Sequence, residues 1–354
     1  MRPISLQVLT RPLPTRWKPP TSRPYAVQAP GAPAFQVFNR HTKWLQKERA
    51  ASNADLSRTV DGVKDEVARR LCERLLDINP NRRFLHVLDL GANACNIARV
   101  LTEPDPDPHS TQPVTEPLAT RYSITDITCA DSSRMLLHRD DTLPFNDAIA
   151  VTRDVLPSLE ALPYAPASFD AVFSSLSLHW INDLPSVLAQ INAVLKPDAP
   201  FLAAMHGGDS LFELRQALQL AEQDRRGGVS THTSPLADVR DMGSLLQRSG
   251  FALLTVDVDD IVVDYPDVYA LMQDLQAMGE SNAVLGREMG GMQRDVLLAA
   301  DGIYRELHGN PDGSVPATFR QIYMIGWKEA PGQEKPLPRG SGQVNLKDVL
   351  EGGS

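Results

Sequence analysis

The stretch VLDLGANACN, residues 87–96, puts an acid, Asp89, and a glycine, Gly91, at the end of an apolar run. In an open parallel sheet that is where the first strand-to-helix turn receives a nucleotide-like ligand. Glycines serve such a turn by adopting positive φ and letting a ligand approach the backbone. Here Asn93 and Cys95 stand where two further glycines are expected. Asparagine enters the left-handed region at modest cost, whereas Cys95 brings a β-carbon into a crowded place. A second acid, accepting from ribose hydroxyls, is expected about 20 residues further on. Asp131 lies 40 residues after Gly91, or 22 once the 18-residue stretch 103–120 is set aside. The competing role for Asp131-Ser132-Ser133 is a helix cap. Asp154, followed by Val155, ends the next apolar run and suits an adenine amino group; its alternative is a solvated loop acid. These residues, with Ser175 at the end of a fourth run, form the predicted pocket.

The pocket needs a scaffold of alternating strands and helices. FLHVLDL, YSITDITCAD, DAIAVTRDV, SFDAVFSSL and APFLAAMHG read as strands separated by helical patterns, and FALLTVDVDDIVVDY and TFRQIYMIGWKE add two more. That rhythm predicts an α/β fold with a doubly wound, mostly parallel seven-stranded sheet and added helices. Val63, Val67, Leu71, Leu75 and Leu76 predict an amphipathic helix ending before Pro80. Residues 35–83 are thus a helical N-terminal segment, in which AFQVFNRHTKWLQKERAA carries Phe35, Phe38, Trp44 and Leu45 to cover the core, with docking on a partner as the alternative. Residues 84–205 form the ligand-binding core, interrupted by a disordered insertion at 103–120 whose prolines and acids suit neither helix nor strand. Residues 206–329 complete the sheet and supply substrate-side helices, with Ser210 and Glu213 as a capping box opening LFELRQALQLAEQ. Residues 330–354 form a flexible tail.

Composition narrows the class. Arg2, Arg11, Arg16, Lys18 and Arg23 precede the first carboxylate, Glu48. Residues 1–34 therefore read as a mitochondrial transit peptide or disordered basic tail. Removing residues 1–25 takes five positive charges and no negative ones from a chain of formal charge −9, leaving −14. So acidic a protein is a poor partner for nucleic acid. No apolar run has the length of a membrane span, so any membrane association is expected to be peripheral. Cys72, Cys95 and Cys129 are odd in number and widely spaced, supporting neither a disulfide framework nor a zinc site.

LDLG, Asp131, Asp154, SFDAVFSSLSLHWINDLP, VLKPDAPFLAAM, GGDSLFELRQALQLAE, MGESN and DGSVPATFRQIYMIGWK together resemble the mitochondrial complex I assembly factor 5 family. These are arginine-hydroxylase relatives of class I S-adenosylmethionine methyltransferases. A more distant similarity is to the biotin-pathway methyltransferases acting on malonyl carrier protein. The resemblance implies a class I methyltransferase-like, Rossmann-type fold and S-adenosyl-L-methionine as cofactor. It further implies a matrix protein peripheral on the inner-membrane matrix face, hydroxylating an arginine of a complex I iron–sulfur subunit and meeting assembly intermediates. The family pattern Asp-x-Gly-x-Gly-x-Gly is broken at Asn93 and Cys95, which predicts a pocket that survives with weakened or altered cofactor binding.

The reaction is less legible. Methyl transfer depends chiefly on positioning and needs no fixed catalytic pair. His179 and Trp180 follow the fourth strand, and His206 and Asp209 the fifth. His179 is a base, an orienting donor or a structural histidine beside Trp180. Glu280, in MGESN with Asn282, supplies a carboxylate suited to an arginine side chain, as does Asp209. His179, Trp180, Asp209 and Glu280 are therefore the candidate catalytic residues. Hydroxylation needs an oxygen-activating cofactor, unknown from sequence; two histidines and a carboxylate would hold iron. His138-Arg139-Asp140 has the His-x-Asp form, with His179 or His206 as distal partner, yet it falls in a helical pattern and no metal is assigned. Three readings follow: a protein-arginine hydroxylase, an S-adenosylmethionine-dependent methyltransferase, and a non-catalytic assembly chaperone with a degenerate pocket. Since the acid-free segment ends near Arg23-Pro24-Tyr25, N-terminal sequencing of the matrix protein is expected to start at Ala26 or a residue beyond. Recovery of intact Met1 from mitochondria would refute the transit reading.

Overall fold

A computed structural model describes residues 36–104, 116–287 and 291–333. The expectations for residues 1–34, for 105–115 of the insertion and for the tail beyond 333 lie outside the described residues. The seven apolar runs become strands His86–Leu90 (β1), Asp126–Asp131 (β2), Ala150–Val155 (β3), Ala171–Ser175 (β4), Pro200–His206 (β5), Phe251–Tyr265 (β6) and Val315–Lys328 (β7). They form one sheet in the order β3-β2-β1-β4-β5-β7-β6. The first five strands are parallel, and β7 runs antiparallel to both β5 and β6. The sheet order reverses at β1, so the crevice beyond the carboxyl ends of β1 and β4 is the place for a ligand.

Side chains alternate across the sheet, as strand geometry requires. Val87, Phe173 and Leu202 enter one core; Leu88, Val172 and Ala203 enter the other. The first core is covered by helices Gly62–Glu73 (α3), Asn96–Thr102 (α4), Leu118–Arg121 (α5), Phe212–Arg226 (α9), Val268–Ala277 (α11) and Arg294–His308 (α12), the second by Leu184–Val194 (α8) and Val239–Arg248 (α10). Arg40–Ser52 (α1), Ala54–Thr59 (α2), Arg134–Leu137 (α6) and Phe145–Ala148 (α7) complete the helices among the described residues. In α3, Val67 and Leu71 are wholly buried, followed by Leu75 in a 3₁₀ turn at Arg74–Asp77. Each large side chain so placed contributes roughly 2 kcal/mol through lost apolar surface. The Tyr122 hydroxyl ties off this segment by donating to the carbonyls of Leu75 and Ile78.

Three local expectations are corrected. In α1 the apolar Trp44 and Leu45 are exposed at 38% and 41%, while Lys43 and Lys47 are buried at 7% and 3%. Two carboxylates beneath α1 outweigh the apolar stripe, as shown below. Within the supposed insertion, α5 forms at residues 118–121 and buries Leu118 and Ala119, because its alternating prolines stop at Pro117. The capping box does not form: Leu211, at φ 52°, precedes α9 without a side-chain cap. Ser210 donates to the Arg320 carbonyl instead, and Glu213 accepts from Thr318, so both side chains pin α9 to β7.

Gly91 has φ 74°, and a β-carbon there would lie 2.0 Å from the Ser177 hydroxyl oxygen. Gly91→Ala is expected to cost roughly 3 kcal/mol, combining left-handed strain with overpacking. Ser177→Gly in that background should recover the overpacking share in denaturant unfolding. Equal losses with and without Ser177→Gly would refute the contact.

Candidate functional site

The turn after β1 keeps its glycine-like shape without its glycines. Asn93 and Cys95 have φ of 52° and 59°, the left-handed conformation that glycine would adopt. The Asn93 amide compensates by donating to the carbonyls of Gly91 and Ser175, at 3.1 Å each, which braces the turn against the end of β4. Cys95 does not crowd the ligand side as expected. Its thiol lies 3.7 Å from the Leu137 carbonyl and is buried in the core with Ile97 and Cys129.

Asp131, at the end of β2, is fully buried and fully engaged. Its Oδ1 accepts from the Ser133 N–H at 2.9 Å, and its Oδ2 from the Asn93 N–H at 3.2 Å and from Lys47 Nζ at 2.8 Å. Ser133, not Asp131, caps α6 by accepting from the Leu136 N–H. Asp89 is the opposite case: neither carboxylate oxygen has a partner among the described residues. Burial, reinforced by Asp131, raises its pKa to about 8. Asp154 accepts from the Tyr164 hydroxyl at 3.0 Å. Beside this face lies a cavity of about 640 Å³ lined by Trp44, Lys47, Val155, Leu159, Ser177 and Trp180 among others.

S-adenosylmethionine fits these residues on one condition. The cavity has the volume of a small-molecule site. Asp89 offers an orphaned carboxylate that a cationic group, such as the cofactor's ammonium, would return to its ionised form. Asp131 can take ribose hydroxyls only when Lys47 yields it.

A second constellation lies behind Trp180. A left-handed residue at the end of β4, Leu176, leads into the 3₁₀ turn Leu178–Trp180, which carries His179. His206 ends the neighbouring strand β5, and Glu280 follows α11 after the turn at Gly279. One ligand-capable atom from each of His179, His206 and Glu280 lies within 4.8 Å of the others. The imidazole centroids are 4.7 Å apart. Glu280 Oε2 accepts from Trp180 Nε1 at 2.7 Å and from Lys43 Nζ at 3.0 Å. Burial alone would raise the Glu280 pKa, but the charge of Lys43 beside it outweighs this and holds it well below the usual carboxylate range. Burial brings Lys43 down to about 7 against the pull of Glu280. Burial, then the neighbouring His179, takes His206 down to about 3, so that ring is neutral near pH 7.

The structure thus gathers Asp89, Gly91, Asn93, Asp131 and Ser175 around one turn, with Val155 and Trp180 on the cavity wall. His179 and Glu280 meet behind it. Asp209 is not brought to them: it is exposed and ion-paired with Arg320. The His138-x-Asp140 pattern is no ligand pair, since Asp140 is taken by Arg58 and Arg139. Lys43 and Lys47 are not among the residues that the sequence singled out. Nor did the sequence assemble His206 with His179 and Glu280. The available signal was that each histidine follows the end of one of two consecutive strands, which a doubly wound sheet sets side by side.

Fold and crevice define a Rossmann-type, class I methyltransferase-like protein. A methyltransferase domain family matches residues 111–203. The arginine-hydroxylase NDUFAF5, mitochondrial, of Danio rerio is 44% identical over 315 residues, covering 89% of this chain and 90% of the relative. The chain belongs to this arginine-hydroxylase NDUFAF5 family. A malonyl-[acyl-carrier protein] O-methyltransferase of Laribacter hongkongensis is 36% identical over 66% of this chain and 76% of its own length. The solved YcgJ protein of Bacillus subtilis has a TM-score of 0.48 at 14% identity, over 74% of this chain and 99% of that one.

Asp89 carries a pH signature. Its pKa rises from 3.8 to about 8 on folding, so its contribution is fully present below the lower value and lost as pH rises through the upper. Wild-type stability is expected to fall relative to Asp89→Asn between about pH 4 and 8, because only the wild type must take up a proton on folding there. A flat difference between the two denaturation profiles would remove the raised pKa.

Proposed function

We propose that this protein is a mitochondrial protein-arginine hydroxylase acting in complex I assembly. It works in the matrix, peripheral on the inner-membrane face, on one arginine of a matrix-facing iron–sulfur subunit within an assembly intermediate. The observation that carries this reading is the extent of the match to the Danio rerio arginine-hydroxylase, 89% of the chain. It runs far beyond the methyltransferase-like segment 111–203, into the helices and strands that follow β5. No helix among the described residues is long and apolar enough to cross a membrane. The carboxylates expected to meet the substrate arginine are engaged by this chain's own groups, Glu280 by Lys43 and Trp180 and Asp209 by Arg320. Glu160, at the cavity edge, holds Arg40 through both oxygens, a contact that a substrate arginine would have to displace.

Hydroxylation replaces a carbon-bound hydrogen with a hydroxyl. With dioxygen as oxidant and a two-electron reductant, two protons are consumed and the second oxygen atom leaves as water. A second reading, methyl transfer from S-adenosylmethionine, is favoured by the orphaned Asp89 carboxylate at the end of β1 and by the cavity whose wall includes Lys47, the partner of Asp131. High-resolution peptide masses of complex I subunits, with and without this protein, separate the readings. The hydroxylase predicts loss of one oxygen atom's mass from a single arginine and an early assembly stall. A methyltransferase predicts loss of a methylene's mass, and a chaperone predicts a stall with every subunit mass unchanged. An unmodified arginine throughout wild-type complex I would refute the hydroxylase.

A further inference from the structure

We propose that His179, His206 and Glu280 bind one divalent transition-metal ion, with iron(II) the cation best suited to the donors. The inference deepens the hydroxylase reading and rests on it for its chemistry, but the site itself stands on geometry. A buried histidine kept for packing has its ring nitrogens hydrogen-bonded, because an unpartnered buried polar atom is costly. His179 is 5% exposed, and neither Nδ1 nor Nε2 has a hydrogen-bond partner among the described residues. Its approach of 3.5 Å to Glu280 is too long to satisfy it. Glu280 Oε1 is likewise buried without a partner, while Oε2 is occupied. An orphaned imidazole and an orphaned carboxylate oxygen thus lie in one buried cluster, with a ligand-capable atom of each of His179, His206 and Glu280 within 4.8 Å of the others.

The donor set and spacing fit a metal. Ligand atoms about 2.1 Å from one ion stand roughly 3–4 Å apart, so closing the present span takes about an ångström of side-chain adjustment. Two imidazoles and one carboxylate leave open coordination positions, the arrangement used by non-haem iron(II) oxygenases. Supporting contacts are in place. Lys43 and Trp180 hold Oε2 and so fix the carboxylate, while Oε1 is left without a partner. Gln321, wholly buried, places its side-chain amide 3.0 Å from His206 Nδ1, and its own carbonyl oxygen has no partner. Turned end over end, that carbonyl accepts from Nδ1–H and frees the His206 Nε2 lone pair for the ion, as ligating histidines require. Lys43 and Trp180 also line the 640 Å³ cavity, so a single layer of side chains separates the cluster from the space a substrate would enter.

The test uses the full chain, stripped of metal and titrated without oxygen, first with iron(II) and then with cobalt(II) as an optical probe. One equivalent per chain is expected, with visible cobalt bands. His206→Gln and His179→Gln should each weaken binding at least tenfold, and Gln321→Met by about tenfold, the scale of an outer-shell loss. His138→Gln should bind as the parent does. X-ray absorption of the cobalt-loaded unsubstituted protein should show two imidazoles, a readout independent of whether the variants fold. Absence of stoichiometric binding, a cobalt shell without imidazole, or unchanged affinity in both folded histidine variants would overturn the site. The peptide masses are read separately. Metal bound at the triad with no oxygen added to any arginine sinks the hydroxylase and leaves the site; hydroxylation by metal-free or triad-substituted protein leaves the hydroxylase and overturns the metal's part in it.

Discussion

Two buried carboxylates at the rim of the sheet fix the arrangement of everything around them. Asp131 is 0% exposed and the Glu280 side chain 6%, and an ionised carboxylate in such a place must be matched by a cation or give up its charge. Helix α1 supplies both cations from one face, since Lys43 and Lys47 stand four residues apart and so point the same way. That requirement places α1 over the crevice and turns Trp44 and Leu45 outward, against their own preference. Stripping one member of such a pair typically costs about 3–5 kcal/mol, more than burying one large apolar side chain returns. Lys64 follows the same logic at lower stake: its amine donates to the Met278 carbonyl and Lys43 to that of Gly279, where α11 ends.

Whatever depended on period and spacing was legible in the sequence. The central strands β1, β4 and β5 were readable because residues alternating between two buried faces leave near-continuous apolar runs, and the outer β6 because its apolar and acidic residues interleave along an extended run. Asp131 was found by its distance from Gly91 once the proline-rich stretch was discounted, and it does sit beside the turn. Its ionic partner was not legible, because a lysine that buries its amine looks in sequence like any lysine on a helix. The left-handed turn at Asn93 and Cys95 was half legible. Asparagine's tolerance of that conformation follows from its chemistry, but only the fold shows the Cys95 side chain leaving the ligand side for the core. The triad was illegible as a motif, since His179, His206 and Glu280 come from separate elements with no fixed interval. The short His138-x-Asp140 pattern looked more like a ligand pair and is spent on arginines.

The two constellations share a wall, and the sharing links them energetically. Lys47 closes the Asp131 end of the crevice and Lys43 holds Glu280, one helical turn away on the same helix. Because the two amines lie on one helical face, α1 cannot be drawn off Asp131 as a body without also drawing Lys43 off Glu280, and each loss leaves a buried carboxylate uncompensated. The two contacts therefore hold α1 in place jointly, and the crevice and the histidine–carboxylate cluster keep their common wall for the same electrostatic reason.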